Sequence, residues 1–189
     1  MIQTIGEMTR SMEPTDDTAP EVTVGNRLTA REETVAIAES LTGGLIGSRI
    51  TDVSGASTYF DRAVVTYSNR SKQEVLSVSR EALDAHGAVS EAVAEEMAAG
   101  VRDTAETTWG VSTTGIAGPT GGTDDKPVGL VYIGIAYAAP WGSGDSFVRF
   151  DRHLFDGDRP AVTQKTLTTA HNPLHATLHT RPPRSATVG

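Results

Sequence analysis

At 189 residues the chain is long enough for one domain that buries roughly 70% of its unfolded surface, so it needs no covalent staples. It contains no cysteine, which removes disulfides, thiolate nucleophiles and cysteine-based zinc or iron–sulfur sites and sets a reduced, cytoplasmic environment as the expectation. A formal charge of −8, with three lysines and thirteen arginines dispersed among 24 acids, provides no clustered basic face for nucleic acid, and no apolar stretch approaches the roughly 18 residues of a membrane span.

Residues 1–24 mix Thr, Glu, Asp, Met and Pro without apolar periodicity and read as a flexible leader. The folded domain is expected over 25–179, with 180–189, which holds Pro182-Pro183 and small polar residues, as a flexible tail. Thr34–Ala38 is a buried strand that opens into a glycine turn, after which Leu45, Ile46, Arg49 and Ile50 take helical spacing. Tyr59–Tyr67 is a second strand, and Ser68 caps a helix carrying Lys72, Val75 and Leu76. Ser90 caps a longer helix reaching about Glu106, with Val93, Met97 and Val101 on one stripe. Gly110–Ala117 and Val128–Ala138 are apolar enough for central strands, Phe147–Phe155 alternates like an edge strand, and helical composition returns at Arg159. Pro173 cannot sit inside a helix, so two short helices are expected, broken near His171-Asn172 with Asn172 capping the second. The fold class is α/β, a single-domain α/β/α sandwich with a mixed central sheet.

Two strand-to-glycine turns carry the functional signal: Ala38-Glu39-Ser40-Leu41-Thr42-Gly43-Gly44, and Thr114-Gly115-Ile116-Ala117-Gly118-Pro119 with the glycines that follow. Backbone N–H groups in such turns face small anions, so a small-molecule nucleotide is a fitting ligand. The second is neither a Walker loop, since no Gly-Lys-Ser/Thr follows its glycines, nor a dinucleotide fingerprint, since no helix opens directly after it. No cofactor is expected. His171, His175 and His179 repeat every four residues, but Pro173 breaks their alignment and no acid joins them, so no metal site is assigned. His86 reads as structural. Gly121–Pro127 reads either as a flap over the site or as an ordinary surface loop.

The runs AESLTGG (38–44), GASTYFDRAVVTYSNRSK (55–72), LDAHGAVSEAVAEEMAAG (83–100), TTGIAGPTGGTDDKPVGLVYIGIA (113–136) and FDGDR (155–159) resemble the CinA C-terminal domain family over about residues 27–170, in one order. Leu41 stands where a cysteine is common and Thr120 where a glycine is frequent. Family members often carry a larger N-terminal domain, so a stand-alone form is expected here.

Characterised members of that family are nicotinamide mononucleotide deamidases. The resemblance implies hydrolysis of a carboxamide by Ser40 as nucleophile, Lys72 of Tyr67-Ser68-Asn69-Arg70-Ser71-Lys72 as its base, and Tyr67 as a catalytic helper that donates to the serine or relays its proton. It also implies a homodimer. Thr42, Gly43 and Gly44 supply N–H groups after Ser40 at a helix start, and Asn69 lies one helical turn from Lys72, close enough to share its site. Thr114, Gly115, Ala117 and Gly118, with the hydroxyls of Thr113 and Thr114, hold either the ribose phosphate or the oxyanion, and both readings stay open. Arg159 meets either the substrate phosphate or a partner subunit, unless it pairs with Asp156 or Asp158. The competing reading is a catalytically silent nucleotide-binding or regulatory module linked to competence or DNA-damage responses; a third is an amidase for a different pyridine or nucleotide amide.

Overall fold

A computed structural model describes residues 19–181 as a five-stranded mixed sheet in the order β2-β1-β3-β4-β5, covered by helices on both faces. The strands are β1 (Val35–Glu39), β2 (Phe60–Val65), β3 (Trp109–Gly115), β4 (Leu130–Tyr137) and β5 (Phe147–Leu154). β1 runs parallel to both β2 and β3, whereas β3, β4 and β5 are successively antiparallel. The helices are α1 (Pro20–Arg31), α2 (Leu45–Thr51), α3 (Asn69–Leu76), α4 (Arg80–His86), α5 (Glu91–Ala105), α6 (Arg159–Thr169) and α7 (Asn172–Thr180).

Side chains alternate across each strand, so every residue of β1 is buried but in two different cores. Val35 and Ile37 pack with α1, α2, α6 and α7; Ala36 and Ala38 pack with α3, α4 and α5. This is the α/β/α sandwich that the run of elements predicts. On the second face α5 lies against backbone: a Cβ on Gly110 would stand 2.0 Å from the Ala98 carbonyl oxygen, and one on Gly134 2.3 Å from that of Ala94. Ser112 Oγ donates to the same Ala94 oxygen at 2.6 Å, fixing the helix on the sheet.

This topology positions the site. The chain leaving β1 crosses by α2 on one face to β2, and the chain leaving β2 returns by α3 to α5 on the other face to β3. Connections therefore part to opposite faces beside β1, and a crevice opens outside the carboxyl ends of β1 and β3.

Several expectations are corrected. The folded part begins earlier than residue 25: Pro20 starts α1, and Val24 and Leu28 of that helix are buried. The pattern hides it because two valines, two threonines and Gly25 weaken helix propensity, while Gly25 is needed where a Cβ would meet Tyr59 Oη at 2.5 Å. The rest of the supposed leader, 1–18, lies outside the described residues. At the other end Thr180 closes α7, and Arg181 is anchored: its guanidinium lies 3.9 Å from the Tyr137 ring centre and its carbonyl accepts from Arg31. Residues 182–189 fall outside the description. The break before Pro173 occurs, but His171 is the N-cap and Asn172 the first helical residue, with no side-chain cap bond. The short helix α4, capped by Ser79 through the N–H of Ala82, is an element that the sequence pattern does not announce.

Candidate active site

Ser40 follows β1 without a break. Its N–H donates to the Thr113 carbonyl at 3.1 Å, which holds it at the carboxyl edge of the sheet, and it is 9% exposed. Gly43 and Gly44 turn the chain into α2 at φ 63° and 99°, values that L side chains rarely adopt. The Gly43 N–H reaches the Ser40 carbonyl at 3.3 Å and the Leu45 N–H reaches that of Thr42 at 3.2 Å, so the turn closes on itself.

Lys72 comes from α3. Ser68 starts this helix with a capping box: its Oγ accepts from the Ser71 N–H and its own N–H donates to Ser71 Oγ, both at 3.1 Å. The helix aims Lys72 under the sheet edge, where the residue is fully buried. Its Nζ stands 3.1 Å from Ser40 Oγ and donates to the Thr66 carbonyl at 2.6 Å. Among the described residues no carboxylate pairs with it. Burial without a counter-charge pulls its pKa down from 10.5 to about 8, because taking an ammonium out of water disfavours the charged form.

Ser40 and Lys72 open onto a cleft of about 240 Å³. Leu41 and Tyr67 flank them, Thr114, Gly115, Ala117 and Gly118 form the facing wall, and Arg159 stands at its border. Of the residues marked by sequence, the fold thus gathers Ser40, Lys72, Tyr67, Thr114, Gly115, Ala117, Gly118 and Arg159 around one space. Gly118 takes φ 83° and its bond to Pro119 is cis; a Cβ there would meet Val128 Cγ1 at 2.6 Å.

Four other residues fall elsewhere. Thr42 is buried, its hydroxyl 3.0 Å from that of Thr113, so neither hydroxyl reaches substrate. Gly43 and Gly44 form the back of the turn and do not border the cleft. The Gly44 N–H is already taken: with those of Ile46 and Gly47 it donates to the carboxylate of Glu39, at 2.9, 3.2 and 2.8 Å. Asn69 is exposed in the first turn of α3 and does not border the cleft, which of that helix only Lys72 lines.

The second wall is also partly engaged. Thr114 Oγ1 donates to the Ala88 carbonyl at 2.7 Å, and the Ile116 N–H to that of Leu130 at 2.9 Å. By contrast the N–H groups of Leu41, Ala117 and Gly118 meet no acceptor among the described residues. Tyr67 is 67% exposed at the rim, and its hydroxyl bonds neither Ser40 nor Lys72. Arg159 opens α6; Asp158 spends its carboxylate capping that helix through the Ala161 N–H at 3.0 Å, and among the described residues Arg159 has no ion-pair partner.

Outside the cleft, His171 is buried with Nδ1 3.2 Å from the Leu167 carbonyl, and His179 Nδ1 stands 3.2 Å from Arg27 Nη1. Among the described residues no three His, Asp or Glu side chains gather closely enough for a metal ion. Lys126 pins one end of the 121–127 segment: its Nζ donates to the carbonyls of His86 and Val89, the latter at 2.8 Å. Sequence reasoning missed the Thr66 carbonyl and the Glu39 carboxylate. A backbone oxygen leaves no trace in a sequence, but an acid closing an otherwise apolar strand does.

Fold and site together define a three-layer α/β protein with a buried serine–lysine pair at the carboxyl edge of a mixed sheet. The model of the CinA C-terminal domain matches residues 17–178, and the chain belongs to that family. It is 58% identical over 125 residues to a CinA-like protein of Salinibacter ruber, covering 66% of this chain and 30% of that one. It is 49% identical over 144 residues to a putative competence-damage inducible protein of Halothermothrix orenii, covering 76% and 33% respectively. The chain thus spans about a third of the length of these curated relatives. Among solved structures it resembles the competence damage-inducible protein A of Klebsiella pneumoniae, with TM-score 0.79, 31% identity and coverage of 86% of this chain and 97% of that one. A competence/damage inducible protein from Agrobacterium tumefaciens gives TM-score 0.77 at 34% identity, covering 90% and 99%.

Proposed function

We propose that this chain is an amidohydrolase that converts nicotinamide mononucleotide to nicotinic acid mononucleotide and ammonia. Neutral Lys72 accepts the Ser40 hydroxyl proton as Oγ bonds to the carboxamide carbon. The resulting oxyanion is met by backbone N–H groups at the cleft, Leu41 first because it directly follows the nucleophile. The C–N bond then breaks as the Lys72 ammonium returns its proton to the leaving nitrogen, giving ammonia and an acyl ester on Ser40. Water, deprotonated by the same amine, adds to the ester carbon, and the acyl–oxygen bond breaks to release the acid and restore Ser40.

The single observation that carries this reading is the 3.1 Å separation of Lys72 Nζ and Ser40 Oγ, with the lysine fully buried. A pKa near 8 leaves about one molecule in ten with a neutral amine at pH 7, against fewer than about one in a thousand at the ordinary lysine value. The Thr66 carbonyl takes one amine hydrogen and so orients the nitrogen toward Ser40. A silent binding module has no need for a desolvated amine against a hydroxyl. The choice of substrate rests on the motifs shared with the family and on Arg159, a cation at the cleft border with no ion-pair partner among the described residues and suited to a phosphate.

The test is a comparison of ammonia release from nicotinamide mononucleotide, its dephosphorylated riboside and free nicotinamide. The reading expects turnover of the first and markedly lower kcat/KM for the others. Equal turnover of all three removes the phosphate from the account, and turnover of none removes the substrate.

A further inference from the structure

Glu39 is the one acid in β1 and is fully buried, yet no cation pairs with it among the described residues. Its carboxylate is instead held by three backbone N–H groups at the start of α2: Oε2 accepts from Gly44 and Ile46, Oε1 from Gly47. The approach is close enough that a Cβ on Gly47 would lie 3.5 Å from Oε1 and 2.5 Å from the Ala63 Cβ. The backbone of the same residue is fixed on both sides, in register with Val65 of β2 and Thr113 of β3, and its carbonyl accepts from the Thr66 N–H at 2.8 Å.

Every residue between these two anchors belongs to the turn that carries the proposed nucleophile. The Glu39 main chain is fixed to the sheet and its side chain to the head of α2, so residues 40–44 form a loop closed at both ends. Two turn bonds, Gly43 to Ser40 and Leu45 to Thr42, complete it. The carboxylate also occupies donors with which a helix start would otherwise bind an anion; among the described residues the Leu41 and Thr42 N–H groups stay unengaged, and of the two residues Leu41 borders the cleft.

We propose that Glu39 is the positioning residue of this site: by binding the first N–H groups of α2, its carboxylate holds Ser40 Oγ on Lys72 and directs oxyanion binding to the Leu41 N–H. Glu39 does not touch substrate. The inference rests on the amidohydrolase reading for its substrate but not for its geometry. Glutamine in its place keeps the size but presents one acceptor and an NH₂ group to a ring of donors, so the turn loosens at one of its anchors. A shift of about 1 Å at a nucleophile costs up to about a hundredfold in rate.

The experiment uses Glu39→Gln and Glu39→Asp alongside wild type, with circular dichroism and thermal melting as the fold check. Two rates are then read: kcat and KM for ammonia release, and phosphonylation of Ser40 by a fluorophosphonate probe, which needs no amide substrate. The inference expects Glu39→Gln, folded, to lose about tenfold or more in kcat and in labelling rate with KM little changed. Glu39→Asp, which keeps the charge, should recover part of both. Folded Glu39→Gln with labelling and kcat within about twofold of wild type overturns it, as does a change confined to KM. If Glu39→Gln does not fold, Glu39→Asp decides: its shorter carboxylate cannot reach all the α2 donors, so a loss of about threefold or more in kcat and labelling rate supports the inference, and both within about twofold of wild type overturn it. A wild type that labels at Ser40 but releases no ammonia overturns the substrate alone, and slowed labelling in the variant then supports Glu39; a wild type that never labels overturns both.

Discussion

Lys72 Nζ lies 3.1 Å from Ser40 Oγ although the two residues are 32 positions apart in the chain, one in the turn after β1 and the other on the helix after β2. Their meeting depends on the parallel pairing that sets Glu39 beside Val65, so that Ser40 and Thr66 emerge together at the end of the sheet.

A base with a pKa near 8 gives the reaction a pH dependence of definite sign. The active form is the neutral amine, so kcat/KM should rise about tenfold per pH unit below 8 and level off above it. Profiles measured from pH 6 to 9.5 check this, and a flat profile removes Lys72 as the base.

The same shift predicts a stability effect. The folded-state pKa lies below the unfolded value of 10.5, so between about pH 8 and 10.5 the unfolded chain binds more protons and folding strengthens as pH rises. Below pH 8 the full penalty of burying the ammonium is present. Chemical denaturation of wild type and Lys72→Met should show the wild type gaining on the variant by up to about 1.4 kcal/mol per pH unit across that window. The variant should be inactive at every pH.

Arg159→Ala should weaken nicotinamide mononucleotide far more than its riboside. Loss of a charge-assisted contact to phosphate corresponds to roughly 1.5–3 kcal/mol, about ten- to a hundredfold in kcat/KM. Steady-state kinetics on both substrates decide it; an equal loss on both places Arg159 outside the phosphate contact.

Gly110→Ala should destabilise the domain by roughly 1–3 kcal/mol without altering the cleft directly, because its methyl would collide with the Ala98 carbonyl of α5, 2.0 Å from the ideal Cβ position. Thermal melting reads this, and unchanged stability would show that α5 shifts freely on the sheet.

Much of this arrangement is legible in the sequence for physical reasons. Strands buried on both faces betray themselves as continuous apolar runs, as in Thr34–Ala38 and Val128–Ala138, and Ser68 and Ser90 mark helix starts because their hydroxyls accept the N–H three residues on. The serine and lysine stand out through their motifs. Other features are hidden because tertiary contacts decide them. The weak helix-forming run of α1 is held by Val24 and Leu28 in the core, and Arg181 is anchored by stacking on Tyr137. Glycine turns announce free N–H groups, but their spacing cannot show that the Glu39 carboxylate has claimed the one on Gly44. Likewise Thr113 and Thr114 look like ligand hydroxyls until the sheet brings Thr42 and the Ala88 carbonyl against them.

The most direct measurement is ammonia release from nicotinamide mononucleotide by Ser40→Ala beside the wild type, on folded protein at pH 8. The account predicts steady release by the wild type and release at the uncatalysed background by the variant. Release by Ser40→Ala at the wild-type rate contradicts it.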